Sequence, residues 1–189
     1  MTDLNPIIAD RFTEHLEVFG KTMEHMDTIQ EIAYRCKAAL DNGNKILFCG
    51  NGGSAADSQH LAAELIGRFK KERRSFAAVA LTTDTSALTA IANDYDFESV
   101  FARQVEGLGR TGDVLIGIST SGNSKNVVKA AEMARSIGMH TIAFTGEGGG
   151  KLAGLCDITL AIPSNVTARI QEMHILAGHI MCELIEEDY

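Results

Sequence analysis

The 189-residue sequence contains no apolar run that approaches the roughly 20 residues needed for a membrane-spanning helix. Its first six residues also lack the basic and apolar regions of a secretory signal peptide. No linker or low-complexity tract interrupts the chain, which has only two prolines. These absences argue against a membrane protein, a secreted protein and a multidomain protein. We therefore expect a single domain, residues 1–189, in the cytoplasm.

Cysteine pairs and excess positive charge are also missing. The four cysteines (Cys36, Cys49, Cys156 and Cys182) are widely spaced and form no C-x-x-C pair. This spacing predicts buried thiols in a reducing compartment and no structural disulfide. The formal net charge of −8 argues against non-specific binding to nucleic acid. Any anionic substrate must therefore be held by local hydrogen-bond donors and not by the field of the whole protein.

Three common functional motifs are absent as well. The sequence has no G-x-x-x-x-G-K-[ST] loop, and residues 50–55 (GNGGSA) depart from the dinucleotide fingerprint G-x-G-x-x-G. It also has no G-x-S-x-G motif for an acyl-transfer serine. Serines in the glycine-rich loops of this chain are therefore better interpreted as hydrogen-bond donors than as nucleophiles.

From residue 44 onward, short apolar strands alternate with helical patterns. Strands are predicted at 45–49, 76–81, 113–118, 140–144 and 157–162, and helices at 54–68, 85–92, 97–108, 123–137, 149–155 and 167–187. This alternation predicts an α/β core, residues 44–189, in which helices cover both faces of a parallel sheet.

Residues 1–43 predict an N-terminal helical segment without strands. Apolar residues recur there at three- and four-residue intervals, as an amphipathic helix requires: Phe12, Leu16, Phe19, Met23 and Met26. A second helix follows and is expected to end at Asn42-Gly43. We expect the long helices at the two ends of the chain to pack with each other or with neighbouring subunits.

Two similar loops stand where a predicted strand gives way to a helix. They are residues 49–57 (CGNGGSAAD) and 118–126 (ISTSGNSKN). Glycines let the backbone approach a ligand closely, while hydroxyl groups and free amides at a helix N-terminus supply donors. Such loops suit phosphate esters and sugar hydroxyls. Two of them in one chain indicate a sugar phosphate rather than a nucleotide.

Titratable side chains occur on the helices that follow. His60 and Glu64 share one helix face, which suits two ligands of one metal, an acid–base pair or an ordinary surface pair. On the last helix, spacing alone does not rank His174 against His179 as a functional residue. Glu, His and Gln together form a donor set that Zn²⁺ accepts. Gln171 and His179 are about 12 Å apart along a straight helix, so they meet at one ion only by reaching to a midpoint, by helix distortion or across subunits.

Polar residues also interrupt the helical pattern near Asn93 and Asp94. Capping and turn formation explain these residues, and Asp84 before them, without any function. From spacing alone, both interpretations remain open.

Taken together, these segments resemble one family. The residues that carry the resemblance lie in 49–57, 59–60, 63–64, 67–69, 81–85, 93–94, 117–124 and 168–172. They are similar to the bacterial phosphoheptose isomerases of the sugar-isomerase (SIS) family over nearly the whole chain. The resemblance implies a single SIS domain with a five-stranded parallel sheet, assembled as a homotetramer with active sites at subunit contacts. It also implies conversion of D-sedoheptulose 7-phosphate to D-glycero-D-manno-heptose 7-phosphate, through an enediol, for lipopolysaccharide heptose.

The resemblance also assigns roles to individual positions. Substrate-binding positions fall on Asn51, Gly52, Gly53, Ser54, Asn93, Asp94, Ser119, Thr120, Ser121, Ser124 and Gln171. Positions for one zinc ion per subunit fall on His60, Glu64, Gln171 and His179, which favours His179 over His174. We assign Glu64 as the catalytic base and His179 as its acid–base partner. These assignments conflict in one respect, because a carboxylate bound firmly to zinc is a weaker base.

Two other functions fit parts of the same pattern. A paralogue in this family binds the bacterial replication initiator protein and shares residues 90–94 and 168–174, but it lacks the equivalents of Glu64 and His179. Sugar-phosphate-sensing SIS modules usually accompany a DNA-binding domain, which this chain does not contain. We therefore expect an enzyme that binds a sugar phosphate and copies of itself, and neither nucleic acid nor a membrane.

Overall fold

A five-stranded, all-parallel sheet forms the centre of the computed structural model, which describes residues 4–187. The strands are β1 (Ile46–Gly50), β2 (Ala78–Ala80), β3 (Val114–Ser119), β4 (His140–Thr145) and β5 (Ile158–Ala161). Their spatial order is β2-β1-β3-β4-β5, and each neighbouring pair is parallel. The predicted α/β fold with a five-stranded parallel sheet is confirmed.

Eight α-helices surround the sheet within the described residues. They are α1 (Asn5–Thr22), α2 (Met26–Asp41), α3 (Gly53–Ile66), α4 (Thr85–Asp94), α5 (Val100–Leu108), α6 (Lys125–Ile137), α7 (Gly150–Ala153) and α8 (Thr167–Glu186). Short 3₁₀ turns at 23–25 and 97–99 precede α2 and α5. Strand β2 is shorter than the predicted 76–81, because the N–H of Phe76 bonds to the carbonyl of Leu65 and not to the sheet.

The central strands β1 and β3 are buried on both faces, as is most of β4, which explains their continuous apolar runs. On β1, Ile46 and Phe48 face a core shared with α2, α3 and α8, while Leu47 and Cys49 face a core shared with α5 and α6. Complete burial of a large apolar side chain contributes about 1.5–3 kcal/mol. The two cores therefore hold α3 and α6 on opposite faces of the sheet.

The strand order creates a crevice beyond the carboxyl ends of two central strands. Strands β1 and β3 are neighbours, but the helices that follow them, α3 and α6, leave toward opposite faces. Ligands of doubly wound sheets bind at such a switch point, outside the carboxyl ends of the strands. Both glycine- and serine-rich loops begin there.

Helix α1 forms as predicted, but most of its apolar face does not reach the core of its own chain. Phe12 and Leu16 are 68% and 65% exposed, and Ile7 and Ile8 are exposed as well, as is Met26 at the start of α2. A contiguous apolar surface of this kind usually marks a contact with another molecule. It does not indicate a membrane span, because no helix within residues 4–187 is long and apolar enough to cross a bilayer.

Candidate active site

The first loop joins β1 to α3 by a tight turn that depends on glycine. A Cβ atom at Gly50 would lie 2.7 Å from the carbonyl oxygen of Ser54, closer than any side chain permits. Gly52 caps the helix with φ +55° and ψ −119°, a conformation that glycine adopts without steric cost. The first turn of α3 consequently lies at the end of β1, where the N–H groups of Ser54 and Ala55 bond to the carbonyls of Asn51 and Gly52. Ser54, in that turn, is buried.

The second loop joins β3 to α6 and concentrates hydroxyl groups at the helix N-terminus. The hydroxyl oxygens of Ser119 and Ser124 lie 2.8 Å apart, and Ser124 is the residue that precedes α6. Thr120 and Ser121 line a cavity of about 240 Å³ together with Ser164 and other residues. Hydroxyl donors beside a helix N-terminus form the kind of site that binds a phosphate group.

A reciprocal pair of amides connects the two loops. The side chain of Asn51 donates to Asn126 over 2.9 Å, and Asn126 donates to Asn51 over 2.7 Å. Asn126 is buried although it is polar, and it lies in the first turn of α6. The sequence pattern alone predicts no role for Asn126. A polar residue on the buried face of a helix directly after such a loop was the available signal.

Three titratable side chains meet where α3 contacts α8. The Nε2 atoms of His60 and His179 lie 2.8 Å apart, and the Nε2 atom of His60 lies 3.2 Å from a carboxylate oxygen of Glu64. The potential ligand atoms of the three residues all lie within 4.8 Å of one another. Two imidazole nitrogens and one carboxylate are donors that Zn²⁺ prefers, so the residues present fit this ion. The ring of Phe69 stacks on His179, with centroids 5.3 Å apart and an interplanar angle of 14°.

Gln171 lies beside the first loop, two turns before His179 on the same helix. A Cβ atom built on Gly53 would lie 2.6 Å from its Nε2 atom. Helix α8 therefore runs beside α3, with Gln171 near the start of α3 and His179 near its middle. One helix contacts both the loop and the histidine–carboxylate cluster.

Asn93 and Asp94 form the last turn of α4 and are exposed. The amide of Asn93 donates to the carboxylate of Asp94 over 2.9 Å. Within residues 4–187, no side-chain hydrogen bond joins either residue to the two loops. The structure thus brings together the loop residues, Gln171 and the cluster, whereas Asn93 and Asp94 are not joined to the loops by such bonds.

The two histidines that spacing did not rank occupy different environments. His174 is fully buried against Phe144, and its Nε2 atom donates to the carbonyl of Thr145 over 2.9 Å. His179 is only partly buried and contacts His60. Burial lowers the pKa of His174 to about 4 and outweighs the opposing effect of its hydrogen bond. His174 is therefore a neutral core residue at neutral pH.

This burial predicts a loss of stability in mild acid. The unfolded chain protonates His174 below about pH 6.5, whereas the folded chain resists protonation down to about pH 4. We expect His174 to cost about 2 kcal/mol of unfolding free energy between pH 7 and pH 5. Urea unfolding at both pH values should show a smaller loss for His174→Gln, whose amide can still donate to Thr145. His25→Gln serves as the control, and an unchanged loss in His174→Gln would contradict the assignment.

The fold agrees with comparisons to known proteins. Residues 10–146 match the model of the SIS domain family. A phosphoheptose isomerase of Nitratiruptor sp. is 57% identical over 183 residues, 96% of this chain and 98% of the relative. One from Akkermansia muciniphila is 58% identical over 181 residues, 96% of this chain and 92% of the relative.

A solved structure gives the same result. The phosphoheptose isomerase GmhA from Neisseria gonorrhoeae superimposes with a TM-score of 0.93 at 49% sequence identity, over 97% of this chain and 99% of that chain. Sequence and structure thus agree over nearly the entire length. The chain belongs to the SIS domain family and groups with its phosphoheptose isomerases.

Proposed function

We propose that this protein is a ketose–aldose isomerase that converts D-sedoheptulose 7-phosphate to D-glycero-D-manno-heptose 7-phosphate, for the heptose of lipopolysaccharide. The observation that carries the proposal is the cluster of His60, Glu64 and His179 on the two helices that border the first loop. The relatives are named phosphoheptose isomerases, so we propose a heptose phosphate as the substrate. The enzyme is proposed to act in the cytoplasm, where such phosphorylated intermediates occur.

The isomerisation moves protons and leaves the overall oxidation state unchanged. We assign Glu64 to remove a proton from C1 of the ketose, so that the C1–H electron pair forms the double bond of an enediol while O2 gains a proton. Returning a proton to C2 while O1 loses its own gives the aldehyde at C1. An imidazole both accepts and donates protons, so His179 is suited to carry the proton between O1 and O2.

The second loop is proposed to hold the phosphate. Among residues 4–187, the hydroxyl groups of Ser119 and Ser124 bond only to each other and to the N–H of Ser124, so they can turn toward a ligand. Thr120 and Ser121 line the adjoining cavity. The N-terminus of α6 adds free amides and a favourable dipole for an anion. The first loop, with Asn51, Gly52, Gly53 and the buried Ser54, is proposed to contact the sugar, together with Gln171, Asn93 and Asp94.

A zinc ion would be held by His60, Glu64 and His179, with Gln171 as the fourth proposed ligand. When bound, zinc would act as a Lewis acid that polarises the carbonyl group of the sugar. Protein purified without chelator should contain one zinc ion per chain. If activity survives complete removal of zinc by EDTA, Glu64 acts as a base without the metal.

The proposed assembly is a homotetramer, and the apolar face of α1 supports self-association. Ile7, Ile8, Phe12 and Leu16 expose more apolar surface than an isolated chain usually leaves in water. Light scattering should give the mass of four chains. A monomer at micromolar concentration would contradict this part of the proposal.

Purified protein supplied with sedoheptulose 7-phosphate tests the reaction directly. We expect NMR to show the anomeric signals of the aldose. In D₂O, the product should carry deuterium at C2, because protons removed through an enediol exchange with solvent at the base. Binding of the sugar phosphate without aldose formation, in zinc-supplemented protein, would exclude the isomerase and favour a non-catalytic SIS protein.

A further inference from the structure

A buried ion pair lies behind the active-site cluster, between the end of α8 and the loop that leaves α3. Arg73 and Glu186 are joined over 2.7 Å, and each side chain is only 1% exposed. Removing two charges from water is costly, and apolar residues in their place are often at least as stabilising. A buried pair of this kind is therefore better explained by a role in holding neighbouring groups in place than by a gain in stability.

Glu186 binds the backbone of the loop that follows α3. Its carboxylate accepts hydrogen bonds from the N–H groups of Phe69 and Lys70, each over 2.8 Å, and of Lys71 over 3.0 Å. Burial alone would raise the pKa of Glu186, but these N–H groups and Arg73 lower it to about 2. The carboxylate is therefore charged throughout the neutral range, and three consecutive amides are fixed to α8.

Arg73 binds the end of α3. Its guanidinium donates to the carbonyl oxygens of Glu64, Leu65 and Gly67, each over 2.9 Å. The last carbonyls of a helix have no partner within the helix. Arg73 supplies one to Glu64 and Gly67 and shares the carbonyl of Leu65 with the N–H of Phe76. One of these carbonyls belongs to Glu64 itself. Arg73 is thus fixed to the backbone of a residue in the cluster.

The ion pair is also connected to His179, through Phe69. Glu186 lies two turns after His179 on α8 and holds the amide of Phe69, whose ring stacks on His179. The pair therefore contacts the backbone of Glu64 on one side and the backbone of Phe69 on the other. Neither Arg73 nor Glu186 belongs to the cluster of potential ligand atoms.

We propose that the Arg73–Glu186 pair is a positioning element for the active site, which fixes the separation of Glu64 and His179 and the stacking of Phe69 on His179. This inference rests on the proposed function only for its effect on catalysis. Its effect on geometry and on zinc binding does not depend on the reaction. Displacement of a catalytic group by about 1 Å can lower the rate about 100-fold.

Two single variants test the pair, because each keeps most of the volume. Glu186→Gln removes the charge, and Arg73→Lys keeps the charge but loses the planar guanidinium. We expect kcat to fall about 10- to 100-fold with KM changed less than about 3-fold, since the substrate contacts remain. We also expect zinc affinity, measured by competition with a chelator in the absence of substrate, to fall about 10-fold or more.

The matched control is Glu183→Gln, on the same helix. Glu183 pairs with Lys70 at the surface, and both side chains are about half exposed. Such exposed pairs contribute little, so rates and zinc affinity should stay within about 2-fold of wild type. Equal losses in Glu183→Gln and Glu186→Gln would overturn the proposal, because net charge and not the buried pair would then control the site.

A readout without substrate separates this proposal from the proposed function. In the NMR spectrum, the stacked Phe69 ring should shift the ring protons of His179 upfield, and Glu186→Gln should reduce that shift. A reduced shift in a protein that never forms the aldose would support the positioning role while overturning the isomerase. An unchanged shift together with unchanged kcat and zinc affinity would overturn the positioning role alone. If the single variants do not fold, a double variant, Arg73→Met with Glu186→Met, replaces the ion pair by apolar side chains. Full activity and full zinc affinity in that folded double variant would also overturn the proposal.

Discussion

Glu64→Gln is expected to lower kcat at least about 1,000-fold while the protein remains folded, a loss within the range attributed to general acid–base catalysis. The amide has nearly the shape of the carboxylate but cannot accept a proton from carbon. The carboxylate is partly exposed and contacts His60 over 3.2 Å, and glutamine keeps its volume, so we expect the packing around it to be retained. Initial rates of aldose formation and of deuterium incorporation at C2 should fall together, because both depend on the same proton removal.

The control for this prediction is Glu132→Gln, the same chemical change at an exposed position on α6. Glu132 contributes nothing to the cluster, so its rates should equal those of the wild-type protein. Thermal unfolding of both variants should match the wild type within about 1 kcal/mol, as is usual for substitutions outside the core. Wild-type activity in Glu64→Gln would mean that another group removes the proton.

Gly122→Ala is expected to destabilise the folded chain by about 3 kcal/mol or more, a size that requires a specific steric cause. A Cβ atom at this position would lie 2.0 Å from the carbonyl oxygen of Gly149. That atom belongs to the backbone, so no side-chain rotation relieves the contact. Gly122 also has φ +64°, which costs alanine about 1–2 kcal/mol. Urea unfolding followed by circular dichroism measures the loss.

Gly148→Ala provides a matched control for the same prediction. Gly148 has φ +76°, but a Cβ atom there would meet nothing within 4 Å. This variant should therefore lose only the conformational part, about 1–2 kcal/mol. The difference between the two variants isolates the steric contact. If both lose the same amount, the second loop does not approach the segment before α7 as closely as described.

The sheet was predictable because each strand is a short apolar run that ends in a turn signal. The order of the strands was not, because local periodicity does not show which strands become neighbours. The loops at 49–57 and 118–126 were identified by composition, yet their proximity depends on β1 and β3 being adjacent. The strand β2 was predicted, but its later start was not, because the N–H of Phe76 bonds to the carbonyl of Leu65 in α3.

The cluster of His60, Glu64 and His179 was predictable only in part, for a similar reason. His60 and Glu64 share a helix face, which local spacing reveals. The choice between His174 and His179 depends on which side of α8 faces β4, and that is a property of tertiary packing. The Arg73–Glu186 pair joins segments far apart in the chain, so local sequence patterns do not reveal it.

The amide bridge between Asn51 and Asn126 has a consequence for the energetics of recognition. Two flexible loops that close separately on a ligand would each lose conformational entropy at the moment of binding, and the affinity would be reduced accordingly. Here the two loops are already joined, and the buried Asn126 also anchors its own helix through a bond to the N–H of Val127. The entropy cost of ordering them is thus part of folding, and the sugar phosphate meets a preorganised site.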